Sequence, residues 1–176
     1  MPDALAHYAV SYLVASRVTK PRHALLLALI GILPDVDILL RIHRWITHSL
    51  VLTATLVAVA AIPVFYADRK HFKYLVLALA LYVLHIALDV FTAPTPLLWP
   101  LVSQAYMVSM ELNGVVASGG IKIAPSISVY SKAVDFTQQP LLEGPVVSPQ
   151  GMVTAIGALA VLLTEWLAKT ARSEYQ

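Results

Sequence analysis

Long uncharged apolar runs, separated by short basic clusters, set the pattern of this chain. A helix that crosses a bilayer needs roughly 17–25 mostly apolar residues. Ser49–Ala67 carries no charge and is followed at once by Asp68-Arg69-Lys70. Phe72–Leu88 is interrupted only by Lys73 at its start and His85 near its end. Met152–Ala168 closes on the interfacial pair Glu165-Trp166. Ala24–Leu33 is strongly apolar, and the pattern continues through Leu40 past Pro34, Asp35 and Asp37. Leu5–Val18 is weaker, with His7, Ser11 and Ser16 within it. These runs predict membrane helices over about 4–18, 23–40, 48–67, 72–91 and 150–168, four full spans and a shorter one at the N-terminus. The first run does not read as a secretory leader, because an acidic residue precedes it and its basic residues follow it.

Residues 93–148 break the pattern. They hold most of the prolines, several glycines and alternating stretches such as Ile121–Val129. Such a segment reads as a loop containing a hairpin, outside the lipid core. The expected fold is an all-α membrane protein: one domain over 1–176, a bundle of four to five transmembrane helices, with residues 100–148 as an extracytoplasmic loop or lid.

Composition agrees with the runs. Hydrophobic residues make up 59% of the chain and Asp, Glu, Lys and Arg only 12%, about half the charge of ordinary soluble domains. A soluble globule and a disordered chain are both excluded on these grounds. The net charge of +2 offers no footprint for nucleic acid. The absence of cysteine rules out disulfides and thiolate metal sites, so any metal has to be held by histidine and carboxylate. Basic residues orient the chain. With the N-terminus outside, Arg17, Lys20, Arg22, Arg69, Lys70, Lys73, Lys169 and Arg172 fall on the cytoplasmic side, leaving Arg41, Arg44, Lys122 and Lys132 outside. The expected location is the cell (inner) membrane, multi-pass, with a cytoplasmic C-terminus.

Against so apolar a background, seven ionisable residues stand out: His7, Asp35, Asp37, His43, His48, His85 and Asp89. Placing such groups in a span costs about 2.5–3.5 kcal/mol on insertion scales, which makes them functional candidates. At 1.5 Å rise per residue, all of them fall in the outer half of a core about 30 Å thick, although the segments that carry them alternate in direction. His85 and Asp89 are spaced i, i+4 and project from one helix face, a spacing suited to chelating a cation. Pro34 loosens the backbone before Asp35 and Asp37. His43 and His48 flank a short loop that also presents Arg44, Thr47 and Ser49. Four histidines and three aspartates are enough for one or two divalent ions, zinc the favoured metal, with open positions. The expected metal ligands are His7, Asp35, His48, His85 and Asp89. Asp37 or His43 is the expected general base or acid, and Arg44 the holder of a charged substrate group. The alternative for Asp37 is a helix cap, and for Arg44 an interfacial anchor.

Gly-Ile-Leu-Pro-Asp-Val-Asp (31–37), His-Arg-Trp-Ile-Thr-His-Ser (43–49), His-Ile-Ala-Leu-Asp-Val-Phe-Thr (85–92) and Leu-Leu-Trp-Pro (97–100) occur in that order. This set resembles the membrane-bound metal-dependent hydrolase family typified by bacterial inner-membrane proteins of the YdjM type, and His7 fits the same pattern. The resemblance covers about the first hundred residues, with Trp45 where the pattern usually has glycine. It implies a hydrolase and a metal, and no particular substrate. A more distant similarity to zinc-dependent phospholipase C implies phosphoester cleavage. No Gly-x-Ser-x-Gly elbow and no phosphate-binding glycine loop is present. The expected activity is hydrolysis by a metal-activated water of an amphipathic, phosphoester or lipid-type substrate drawn from the bilayer at the outer face. The rival is a divalent metal-ion transporter or sensor. It requires polar residues on the cytoplasmic side, where Ser49–Ala67 and Phe72–Leu88 are nearly unbroken Leu, Val, Ala and Ile.

Overall fold

The computed structural model describes residues 3–42, 44–67, 69–118, 120–141 and 144–173. Helix α1 (Ala4–Val18) ends at Thr19, and Pro21 opens α2 (Pro21–Ala28) at the first helical position, where its missing N–H costs nothing. The chain then tightens into a 3₁₀ run, Leu29–Leu40. Pro34 accounts for part of that change. It removes one donor from the ladder, and its ring clashes with the carbonyl four residues back in α geometry. Arg41, in the left-handed conformation at φ 56°, ends the run. A short 3₁₀ turn (Ile46–His48) leads into α3 (Leu50–Ala67), and α4 (Arg69–Val90) returns beside it. Strands β1 (Gln104–Ala117) and β2 (Gly120–Ala133) form an antiparallel pair, and α5 (Pro149–Ser173) closes the chain.

The expectation of an all-α bundle with four to five spans is wrong on both counts. Beside its five α-helices the protein carries a two-stranded sheet, paired without a bulge from Gln104↔Ala133 to Ala117↔Gly120. The alternation seen at Ile121–Val129 is one part of this hairpin, which extends along both 14-residue strands and dominates the insert. Among the described residues three helical stretches are long and apolar enough to cross a membrane: Pro21–Leu40, Arg69–Val90 and Pro149–Arg172. Among the described residues the apolar stretch Leu50–Tyr66 is shorter than these, and the 15-residue α1, at 1.5 Å of rise per residue, covers less than the roughly 30 Å of a hydrocarbon core.

Helix α1 is the centre of the helical part, packed against α2, the long 3₁₀ run, α4 and α5. Small side chains let these elements approach closely. Ala15, Ala24 and Leu81 are fully buried where α1, α2 and α4 meet, with Tyr12, Leu27, Ile30 and Leu77 around them. Gly31 sits against Ser11 of α1, and a Cβ at Gly31 would overlap the Ser11 side chain. The outward faces are apolar: Leu26, Leu56, Val153, Ile156 and Leu159 are all more than 60% exposed. A soluble monomer rarely shows so large an apolar surface, whereas lipid covers it.

Asp3 joins the two ends of the fold. Its carboxylate accepts from the Ala6 N–H at 2.7 Å, capping α1, and from the Ser148 N–H at the start of α5. Burial raises its pKa, but the hydrogen bonds from Ser148 and Ala6 outweigh burial and hold it below the usual 3.8. A depressed folded-state pKa contributes stability above the ordinary carboxyl range, and that contribution is lost as pH falls through it. Asp3→Ala is expected to lower stability by about 1–2 kcal/mol, the range for a lost helix cap. Thermal unfolding in detergent at neutral pH measures this, and metal content should not change.

Candidate metal centre

Four elements deliver the chemistry. The long 3₁₀ run supplies Asp35 and Asp37, the short turn supplies His48, α4 supplies His85 and Asp89, and α1 supplies His7. The 3₁₀ geometry divides the work of the two aspartates. At three residues per turn, side chains two positions apart differ by about 120°, where an α-helix would set them nearly opposite. Asp35 therefore reaches the Nε2 side of His48 and Asp37 its Nδ1 side.

Asp35 Oδ1, His48 Nε2, His85 Nε2 and an Asp89 carboxylate oxygen all lie within 4.8 Å of one another. His48 Nε2 is 3.3 Å from His85 Nε2, 3.6 Å from Asp35 Oδ1 and 3.4 Å from Asp89 Oδ2. His85 Nε2 is 3.5 Å from Asp35 Oδ1 and 3.9 Å from Asp89 Oδ2. A tetrahedron with bonds of about 2.0–2.1 Å to a central zinc has edges of about 3.3 Å. The donors thus stand at nearly the separations one such ion requires. His48, His85 and Asp89 are buried, and Asp35, with 18% of its side chain exposed, forms the outer side.

Contacts behind the ring orient both histidines. The carbonyl of Gly31 can only accept, so His85 Nδ1–H donates to it at 2.7 Å and Nε2 faces the cluster. His48 Nδ1 lies 3.2 Å from Asp37 Oδ2 and 3.2 Å from Thr47 Oγ1. Asp37 Oδ2 also accepts from the Trp45 N–H at 2.7 Å and the Thr47 hydroxyl at 2.9 Å. With both rings neutral, two Nε2 lone pairs and two carboxylates face one another, an arrangement that a cation among them would stabilise. Three carboxylates (Asp35, Asp37, Asp89) against one guanidinium (Arg44) leave the cluster two negative charges in excess when the histidines are neutral, the charge of one divalent ion.

The remaining sequence candidates fall around this ring. His7 is 1% exposed, stacked on His85 with centroids 3.8 Å apart, its Nε2 3.3 Å from Asp89 Oδ1. It lies beside the group of four, and neither ring nitrogen has a hydrogen bond among the described residues. Arg44 is 6% exposed, donating from Nε to Asp89 Oδ2 at 2.8 Å and from Nη2 to Thr92 Oγ1 at 3.1 Å. It adopts φ 56°, a conformation that costs a non-glycine residue energy and is held here by the buried ion pair. His43 lies outside the described residues. Sequence reasoning missed Gly31, Tyr82 and Thr92. The Tyr82 hydroxyl donates to the Thr47 carbonyl at 2.6 Å and steadies the turn that carries His48. Its position three residues before His85, on the same helix face, is the signal that would have found it. The Leu-Leu-Trp-Pro motif also braces this turn: the Ser49 hydroxyl donates to the Trp99 carbonyl, and the Leu50 N–H to that of Leu97 at 2.9 Å.

The model of one protein family, described as the YdjM inner membrane protein, matches residues 3–168. The chain belongs to that family, and the match extends well past the hundred residues that carry the motifs. It brings an inner-membrane location and no reaction, and it lends no support to a likeness to phospholipase C. No curated protein and no solved structure matches the chain.

Proposed function

We propose that this member of the YdjM inner membrane protein family is a metal-dependent hydrolase acting on a phosphoester or lipid-type substrate at the membrane. The observation that carries the reading is the inward convergence of His48 Nε2, His85 Nε2 and two carboxylates, each histidine held from behind, His85 by Gly31 and His48 by Asp37. A bound divalent cation, zinc by its donor set, would supply a Lewis acid and lower the pKa of a water.

His48, His85 and Asp89 are the buried donors that would hold the ion. Asp35 would hold its outer side, from which a water would have to enter as a fifth ligand. Asp37 and Arg44 act through others: Asp37 orients His48, and Arg44 fixes the Asp89 carboxylate and balances its charge. Partners of this kind are worth about 10–100-fold in metal affinity. Asp37→Ala is therefore expected to weaken zinc binding by about that factor while the four donors remain. Competition with a chromophoric chelator measures it.

The competing reading, ion transport, needs a polar path from the site, and the described residues along α1 and α4 do not offer one. Ala15 and Leu81, two to three turns along α1 and one turn back along α4 from the site histidines, are fully buried among apolar neighbours. The test of the hydrolase uses full-length protein stripped by a chelator, then reloaded with zinc and incubated with total membrane lipid extract. The reloaded sample is expected to release a product absent from the stripped one. Identical lipid profiles in the two samples would overturn the reading.

A further inference from the structure

Beside the metal centre lies an apolar groove of about 620 Å³, walled by the long 3₁₀ run, α3 and α4 through Ile30, Leu33, Leu52, Leu56, Leu75 and Leu79. Its volume is that of a small-molecule site. We infer that this groove takes one acyl chain of a membrane lipid, and that the substrate of the hydrolase proposed above is such a lipid. This inference deepens that proposal and rests on it for the reaction, though not for the binding.

Three features of the groove choose the occupant. Two of its walls belong to stretches able to cross a membrane, Pro21–Leu40 and Arg69–Val90, so the medium beside it is hydrocarbon. Its hydroxyls are turned away from a ligand. Thr53 donates to the Ser49 carbonyl at 2.7 Å, Thr55 to that of Val51 at 2.8 Å, and Thr47 to Asp37 at 2.9 Å. Tyr82 donates to the Thr47 carbonyl. With those donors engaged in the protein, the lining offers methyl groups and ring faces, which suit an alkyl chain and not a headgroup.

The third feature is continuity with the metal centre. Thr47 lines the groove and adjoins His48, while Leu33 lines it two residues before Asp35. Asp35 is the one donor with an appreciably exposed side chain. A lipid whose tail lies along α3 and α4 therefore has the junction of its tail and polar head at the open side of the cluster. The tail would supply binding energy at a distance from the bond to be cut, at roughly 25 cal/mol per Å² of apolar surface covered.

The test is binding of a long-chain phosphatidylglycerol to delipidated, zinc-loaded full-length protein in detergent, followed by native mass spectrometry. Ala78→Trp and Leu56→Trp fill the groove from opposite walls, and either one suffices if the other does not fold. The wild type is expected to hold one lipid, at least about tenfold more tightly than either variant. Zinc content should be unchanged, and glycerophosphoglycerol, the same headgroup without chains, should not bind. Equal lipid binding in wild type and variants would overturn the proposal. So would tight binding of glycerophosphoglycerol, or a protein dimer that retains no lipid. Failure of the wild type to hold zinc would count against the metal centre and leave the lipid comparison to be read on its own.

Discussion

Asp89→Ala is expected to abolish tight metal binding and to lower stability by about 3–5 kcal/mol, the cost of removing one partner from a buried ion pair. Asp89 is the hub of the site. One oxygen accepts from Arg44 Nε at 2.8 Å and lies 3.4 Å from His48 Nε2, and the other lies 3.3 Å from His7 Nε2. The substitution leaves a guanidinium that is 6% exposed without its carboxylate. Asp89→Asn separates the two effects. Its amide oxygen can still accept from Arg44, so much of the stability returns, but the lost charge still removes the metal. Thermal melts of the three proteins, with and without zinc, measure both. The wild type is expected to gain stability with zinc, and neither variant should.

Gly31→Ala is expected to weaken metal binding from a position that touches no metal. The new Cβ would overlap the Ser11 side chain and press on the His7 carbonyl 3.3 Å away, so the 3₁₀ run has to move off α1. Overpacking of this kind costs about 1–3 kcal/mol. Because the Gly31 carbonyl accepts from His85 Nδ1, the same movement releases the ring that presents Nε2 to the cluster. Ser11→Gly empties the contested space, so the double variant Ser11→Gly/Gly31→Ala is expected to recover much of the metal affinity. If the two substitutions instead added independently, the contact between α1 and the 3₁₀ run would not be what places His85.

The donors were legible in the sequence because lipid makes ionisable groups expensive. Asp35, His48, His85 and Asp89 stand in apolar surroundings, and the i, i+4 spacing of the last two already set them on one face. The division of labour was not legible. Asp35 and Asp37 look equivalent until the backbone is seen to run as a 3₁₀ helix past Pro34, which sends them to opposite nitrogens of one histidine. Arg44 looked free to hold a substrate, and its pairing with Asp89 depends on a left-handed residue and on two segments 45 positions apart. His7 reads in the sequence as a metal ligand, whereas it stands beside the group of four, and its stacking on His85 comes from the packing of α1 against α4, which local pattern does not encode.

The fold was read in part. The apolar runs located the helices, but hydropathy alone did not separate stretches that can cross a bilayer from the shorter α1 and Leu50–Tyr66. The hairpin was anticipated in the insert, yet its extent was not. β1 shows weaker alternation than β2, and its strand is defined by pairing with Gly120–Ala133 as much as by its own sequence.

The central claim is that the buried histidine–carboxylate ring holds a divalent ion. The most direct measurement is the metal content of full-length protein purified in detergent without chelator or added metal, beside the double variant His48→Ala/His85→Ala. About one equivalent of divalent metal is expected in the wild type and almost none in the variant, since two of four donors cannot retain it. A wild type that holds no divalent metal even after equilibration with zinc, or a variant that holds as much as the wild type, would contradict it.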